Sequence, residues 1–575
     1  MKRLGTLCLA LSLSAVAMAQ GLPSLQKNEH GAWQFVVDGK PFTMLAGELH
    51  NSSTGSLLYM DPIWKRMADK NLNTVIAPVN WELLEPEEGK YDFAQIDNMI
   101  QGAEREGLKL TVIWFGSWKN GKSTYVPAWV KKDTKRFPIC YLSTGEKNDY
   151  TLSPLGQESM KADARAFAAL MKHIAEVDKK HTVICMQVEN EIGTLDQAAS
   201  YMGMDNRAAR DFSTLANKAY KGQVPAVLTQ YLKSHEKTLH PAILNAWNAN
   251  GKKMSGTWEE VFGPSVKVEN GNWQEEFSLL TDELFSAWSY ASYVGEVIRQ
   301  GKAQHNIPMY CNVWLKQAKQ HHPGLYPSGA PSPHLFDIWR AAAPDVDFFA
   351  PDIYEVGYFD WVCQDYTRSG NPLFIPETKA DIAGASRAIY TFGKYPTLCY
   401  APFGIDGGRS VLSADDNDKS YDKAYGMLAN LMPTIQKYIG SNKITGLWID
   451  DVQKSDEVTM GDYTFSLAEF NLGIFQAVAG VTAEEKKKET VPTGVLLIQL
   501  DNDEFLAAGG LGSATLRIAK SAACKSDKIG ILSLDQVFFN DGQEILHRLN
   551  GDEAAFGGPV FEGGTSVFRL KMYKY

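Results

Sequence analysis

Eight short β-rich apolar runs, separated by stretches with helical periodicity, constrain this chain more than any other feature. They are Phe42 to Leu49, Asn73 to Trp81, Leu108 to Trp118, Thr182 to Glu191, Pro308 to Leu315, Val346 to Tyr354, Pro372 to Thr378 and Leu398 to Ile405. Runs such as Leu108-Lys109-Leu110-Thr111-Val112-Ile113-Trp114-Phe115 are apolar on both pleat faces, so they belong to a sheet covered on both sides. The intervening segments supply the cover. Met160, Ala164, Phe167, Met171 and Ile174 mark one helical stripe, and Ala424, Leu428, Leu431, Ile435 and Ile439 another. Asp61-Pro62 is expected to cap and open the helix that carries Ile63 and Met67. Parallel strands alternating with helices, without a Gly-rich turn after the first strand, predict a (β/α)8 barrel rather than an open doubly wound sheet.

The texture changes beyond residue 440. Val491 to Leu500, Ala514 to Ile518, Ile529 to Asn540 and Ser566 to Lys571 read as short strands broken by Gly, Asp and Asn, which predicts a C-terminal all-β, sandwich-like domain. The expected division is a leader over 1–19, a barrel over 20–440 and a β-domain over 441–575. The barrel would carry a long insertion at about 194–283, expected to lie over its mouth with the Trp-rich stretch Asn245 to Trp258. Lys2 and Arg3, the apolar run Leu4 to Val16, and Ala17-Met18-Ala19 have the pattern of a signal peptide cleaved after about Ala19, so a periplasmic or secreted protein is expected. Beyond this leader no run has the apolar length of a membrane span.

A net charge of -10 argues against a nucleic-acid partner, because there is no basic surplus to release phosphate counterions. Cys140, Cys185, Cys311, Cys363, Cys399 and Cys524 are widely spaced and several sit inside apolar runs, so buried thiols are expected rather than a disulfide framework. No compact His/Cys/Asp constellation suggests a metal, no cofactor motif is present, and nothing in the sequence selects an oligomeric state.

Barrel enzymes take their catalytic groups from the C-terminal tips of different strands. Strand four ends Gln187-Val188-Glu189-Asn190-Glu191, and strand seven ends Ile375-Pro376-Glu377-Thr378. Strand alternation puts Glu189 and Glu191 on one face, and periodicity alone does not separate them. Two carboxyls meeting across a barrel mouth suit glycoside hydrolysis: one protonates the departing oxygen while the other meets the oxocarbenium-like centre, about 5 Å away in a retaining enzyme.

Asn190-Glu191 and Glu377 resemble the catalytic pattern of clan A retaining glycosidases. With Ala46-Gly47-Glu48-Leu49-His50, Leu72 to Val75, Trp81, Glu85-Pro86, Gly89 and Tyr91-Asp92-Phe93, the stretch from Leu45 to Ile405 is similar to family 35 glycoside hydrolases, the β-galactosidase family, and to the related family 42. The resemblance implies that Glu191 is the acid/base, Glu377 the nucleophile, Asn190 the contact to the sugar 2-hydroxyl and Tyr354 a hydrogen-bond partner of the nucleophile. The chain departs from the family with Glu82 after Trp81, with Trp114-Phe115-Gly116-Ser117-Trp118 closing strand three, and with Ile192 after Glu191. Glu48, Glu82, Trp81, Trp118 and Trp314 are further candidates for substrate contact.

The expected activity is that of an exported retaining exo-β-glycosidase, β-galactosidase-like, acting on a carbohydrate such as a plant-type oligosaccharide. The same chemistry on a β-glucoside, β-glucosaminide or arabinoside, and a barrel that binds carbohydrate without turnover, are the alternatives.

Overall fold

A computed structural model of the chain describes residues 21–196, 207–269, 271–354, 356–407, 418–470, 490–540, 542–551, 554 and 557–575. The expected leader over 1–19, together with Cys8, lies outside the described residues, as does Glu355.

All eight expected barrel strands form: Met44–Glu48, Thr74–Asn80, Lys109–Lys119, Val183–Asn190, Met309–Trp314, Phe348–Asp352, Leu373–Ile375 and Thr397–Tyr400. They pair in parallel, each with its neighbour in sequence, and strand eight returns to strand one. The seam between strands six and seven is closed by a parallel bridge from Ile353 to Thr378, where the Ile353 amide donates to the Glu377 carbonyl at 2.9 Å. At least one helix follows each strand, from Leu57–Asp69 after the first to Ser420–Tyr438 after the last. Ser56, not Asp61, caps the first: its hydroxyl accepts from the Tyr59 amide, and Pro62 lies inside the helix. Ser56 has the extended backbone that lets a side-chain oxygen turn back onto the first turn.

The barrel has an apolar end and a polar end. A short antiparallel sheet over Ser24–Lys27, Trp33–Val37 and Lys40–Phe42 packs against the apolar end. Its Phe35 is fully buried, with its ring against Phe348 and Phe374 at the starts of strands six and seven. Burying such a ring contributes about 1.5–3 kcal/mol and plugs the barrel interior at the end opposite the carboxylates.

The insertion over 194–283 is mostly helical in its described part, with Thr214–Tyr220, Ala226–Ser234, Pro241–Ala249 and Trp258–Phe262. These helices pack beside the barrel against Leu280–Gln304 and Phe336–Ala342, and no described residue of the insertion lines the mouth. Trp247 and Trp258 are 1% and 2% exposed because they join the core shared with the barrel helices, Trp258 edge-on to Phe285.

The C-terminal sheets begin at Ile444–Ile449, which pairs with Thr493–Asp501 in a six-stranded sheet; a four-stranded sheet packs on it. Leu447, Val495, Leu497 and Phe505 face that second sheet, while the alternate residues Trp448, Leu496, Ile498 and Leu506 face the barrel. Burial on both faces is why Val495 to Ile498, within that strand, is an unbroken apolar run. Gly446 and Gly494 allow the close approach: a Cβ on either would sit 2.2 Å from the Tyr390 carbonyl oxygen or 2.1 Å from that of Ser386, both in the barrel helix Ile382–Lys394. The six described cysteines are buried and unpaired. No helix among the described residues is long and apolar enough to cross a membrane.

Candidate active site

The carboxyl ends of the strands surround a cavity of about 950 Å³. Glu191, Asp352 and Glu377 lie on its wall, each with a carboxylate oxygen within 4.8 Å of the others. Chain separation between residues 191 and 377 is therefore erased by barrel closure.

Strand four does not keep simple alternation. Glu189 and Glu191 both take left-handed backbone conformations, with φ of 64° and 46°. For a residue with a Cβ this costs of the order of 1–3 kcal/mol. The first turn swings Glu189 sideways toward strand three, where its two oxygens accept the backbone amides of Ser117 at 3.0 Å and Trp118 at 2.7 Å. Burial and the neighbouring Asp163 push the Glu189 carboxyl well above the ordinary range. Asp163 in turn accepts from Trp114 Nε1 and the Ser117 hydroxyl. Gly116 makes room for this pair, since a Cβ there would lie 2.8 Å from Glu189 Oε1 and 2.9 Å from Asp163 Oδ1. Glu189 and Glu191 thus separate, one bracing strand three and the other entering the cavity.

Glu377 receives three hydrogens. Tyr354 donates its hydroxyl to Oε2 at 2.8 Å, and Asn190 and Asn312 turn Nδ2 toward Oε1 at 3.2 and 3.3 Å. Donors converging on both oxygens suit a bare carboxylate. Three acidic oxygens are also a possible ligand set for a hard cation, but a cation would compete with those donated hydrogens. Asn190 is held in its orientation by Lys119, whose Nζ donates to Asn190 Oδ1 at 2.9 Å. Asn312 accepts the Glu191 amide on Oδ1 at 2.9 Å and donates to Asp352 Oδ2 at 2.8 Å as well as to Glu377. Burial, then the charge of Glu377, pushes the Glu191 carboxyl up to about 7, with Lys119 opposing. Glu191 therefore has the raised proton affinity of a general acid.

Tyr354 and Trp314, both only partly buried, line the cavity, and Trp314 Nε1 donates to Gln320. Asn190 is fully buried and reaches Glu377 rather than the cavity wall. Four residues expected to contact substrate lie outside the cavity lining. Trp81 is fully buried, bonded through Nε1 to Glu85 at 2.8 Å and packed on Trp114 and Trp129, because the chain turns into a helix at Trp81 and leaves the mouth. Glu82 follows that turn outward and pairs with Lys131. Trp118 is 1% exposed, its Nε1 taken by the Leu152 carbonyl and its ring by Tyr290 and Tyr293. Glu48 has no exposed surface and lies near Glu377 outside the cavity lining; burial, then Glu377, raises its carboxyl well above the ordinary range.

Sequence reasoning missed Lys119, Asn312 and Asp352. Two of them carried a signal: counting back two residues along the strand from Trp314 gives Asn312, and from Tyr354 gives Asp352. Lys119 carried none, because the pairing of strands three and four shifts register between Trp114 and Lys119. On the strand-one side, Asp406 accepts the His50 amide and the Ser53 hydroxyl, fixing the loop that forms the opposite wall.

Residues 34–310 match Glycosyl hydrolases family 35. Residues 421–559 match a second family, described as Domain of unknown function (DUF5597). The family 35 match covers strands one to four and the first residues of strand five, and so includes Asn190 and Glu191 but not Glu377. Among curated relatives, the "Beta-galactosidase" of Xanthomonas manihotis is 30% identical over 213 residues, covering 36% of this chain and 33% of that protein. "Beta-galactosidase-1-like protein 3" of Rattus norvegicus is 28% identical over 182 residues, covering 31% of this chain and 27% of that protein. The matched stretch thus spans about a third or less of the relatives' own length. A solved β-galactosidase structure from Bacillus circulans sp. alkalophilus aligns with a TM-score of 0.48 at 12% identity, over 92% of this chain and 99% of that one. Just under half of this chain, residues 34–310, is thus similar to family 35, and the curated relatives it resembles are β-galactosidases and β-galactosidase-like proteins.

Proposed function

We propose that this protein is an exported retaining exo-β-glycosidase that releases terminal β-linked sugars, galactose in the first instance, from oligo- or polysaccharides. One observation carries the reading: the oxygens of Glu191 and Glu377 come within 4.8 Å of each other on the wall of one cavity, with three donors on Glu377 and a raised carboxyl at Glu191. Oxygens this close support the gap of about 5 Å between the carboxyls of a retaining enzyme over the roughly 6.5–9.5 Å of an inverting one.

In the first displacement a Glu377 oxygen forms a bond to the anomeric carbon as the glycosidic bond breaks, its electron pair staying on the leaving oxygen, which takes the Glu191 proton. The ester so formed no longer carries the Glu377 charge, so the proton affinity of Glu191 falls and it becomes a base. In the second displacement Glu191 takes a proton from water, the hydroxide oxygen bonds to the anomeric carbon, and Glu377 leaves as a carboxylate with configuration retained. The preference for galactose is taken from the named relatives, and export from the N-terminal pattern.

A panel of aryl β-glycosides tests both the chemistry and the sugar. Release from the β-galactoside, with retained anomer by NMR and a loss of at least about a thousandfold in Glu377→Gln, is expected. Full turnover in Glu377→Gln, or tight sugar binding with no release from any glycoside, would defeat the reading.

A further inference from the structure

Asp352 is the third carboxyl of the cluster and has no part in the mechanism above. It ends strand six, is 4% exposed and lines the cavity with Glu191 and Glu377. Its two oxygens are in different situations. Oδ2 accepts Asn312 Nδ2 at 2.8 Å, whereas Oδ1 accepts no hydrogen from any N–H or O–H group among the described residues. What Asp352 faces instead is other carboxyls: Glu191 from strand four, Glu377 from strand seven and Glu48 from strand one. Tyr354 of its own strand end, Tyr310 of strand five and Tyr366 of the following helix also interact with it, and two cations, Lys119 of strand three and Lys379 beyond strand seven, line the same cavity, Lys119 being bonded to Asn190.

Like charges packed this closely do not all ionise. Glu377 has hydrogens donated to both oxygens by three residues. Asp352 has one donor, on one oxygen only. One oxygen that accepts and one that accepts nothing, in a side chain with a carboxylate oxygen within 4.8 Å of two other carboxyls, is the arrangement of a neutral carboxylic acid, its C=O taking a hydrogen and its O–H available to give one.

We propose that Asp352 is a positioning residue that stays neutral and donates its own O–H to the Glu191 carboxyl. It steadies Glu191 whenever that group is an anion, after proton donation to the leaving group and while it accepts a proton from water. Burial and the charges of Glu377 and Glu191 raise the Asp352 carboxyl well above the ordinary range, in the same direction. The proton transferred in each displacement belongs to Glu191, so Asp352 neither gains nor loses one over the cycle. The proposal rests on the double-displacement reading for its catalytic meaning, but its protonation state can be measured without turnover.

Asn is the test substitution, because its amide reproduces an acid that accepts on one side and donates on the other. At pH 7 the protonated-carboxyl stretching band in the infrared difference between wild type and Asp352→Asn should show the loss of one neutral carboxyl. In kcat/KM the alkaline limb of Asp352→Asn should stay in place although turnover falls. In Asp352→Leu, which gives no hydrogen, the limb should rise by about one unit, a tenfold gain in Glu191 proton affinity. An ionised Asp352 would leave no band to lose, and its replacement by Asn would move the limb toward acid pH; either result overturns the proposal. If the wild type releases no sugar from any glycoside, the hydrolase reading fails while the infrared comparison still decides the state of Asp352.

Discussion

Lys119 grips Asn190 from behind: Nζ donates to Oδ1 at 2.9 Å, which leaves Nδ2 as the only face of that amide that Glu377 can meet. A charge-assisted bond of this kind contributes about 1.5–3 kcal/mol. Lys119→Met should therefore lower kcat/KM by roughly tenfold to a hundredfold. The same change removes a cation that favours ionised Glu191, so the alkaline limb should also move to higher pH. A pH–rate profile of the variant reads both effects, and an unmoved limb would mean that Lys119 acts at a distance from Glu191.

Activity should fall as pH rises through about 7, because Glu191 must carry a proton to release the leaving group. The sign for stability is the same. Glu191 is raised in the folded protein, so the folded state holds more protons than the unfolded one between the ordinary carboxyl range and about 7, and stability declines with pH across that window. Glu191→Gln should flatten this part of the thermal-melting profile while lowering turnover by roughly a hundredfold or more. Melting temperatures from pH 5 to 8 check it.

Two tryptophans should respond in opposite ways. Trp81 is fully buried among Trp114, Trp129 and Glu85, so Trp81→Ala should cost about 3–5 kcal/mol of stability, measured by denaturant unfolding. Trp314 lines the cavity, so Trp314→Ala should raise KM by up to about tenfold with little change in unfolding.

Glu189 supports the end of strand three rather than the sugar. Glu189→Ala leaves the Ser117 and Trp118 amides without their acceptor, and each buried orphan costs about 1–3 kcal/mol. A loss of stability of that order is expected, accompanied by weakened turnover because Lys119 follows directly in the chain. If stability holds and only KM changes, Glu189 touches substrate instead.

The eight barrel strands are legible in the sequence because burial on both faces writes apolar runs, whereas only some of the strands beyond residue 440 are, since several there alternate or lie exposed. The roles of the acids are not. Glu189 and Glu191 are indistinguishable by alternation, and only the left-handed turns at both residues part them. Trp81 and Trp118 stand at strand ends where sugars could stack, yet the helix that begins at Trp81 and the hydrogen bond from Trp118 to Leu152 turn both into the core.

The order of apolar and polar residues along the chain suffices for a closed parallel barrel with carboxylates at one end, since hydrophobic periodicity is local and each strand announces its own two faces. Which carboxylates meet is a property of closure. Residues 191, 352 and 377 come together only because strands four, six and seven end at the same rim, and their protonation follows from the shared burial and from donors on other strands, Lys119 and Asn312 among them. Such long-range electrostatics leaves no trace in any single window of sequence.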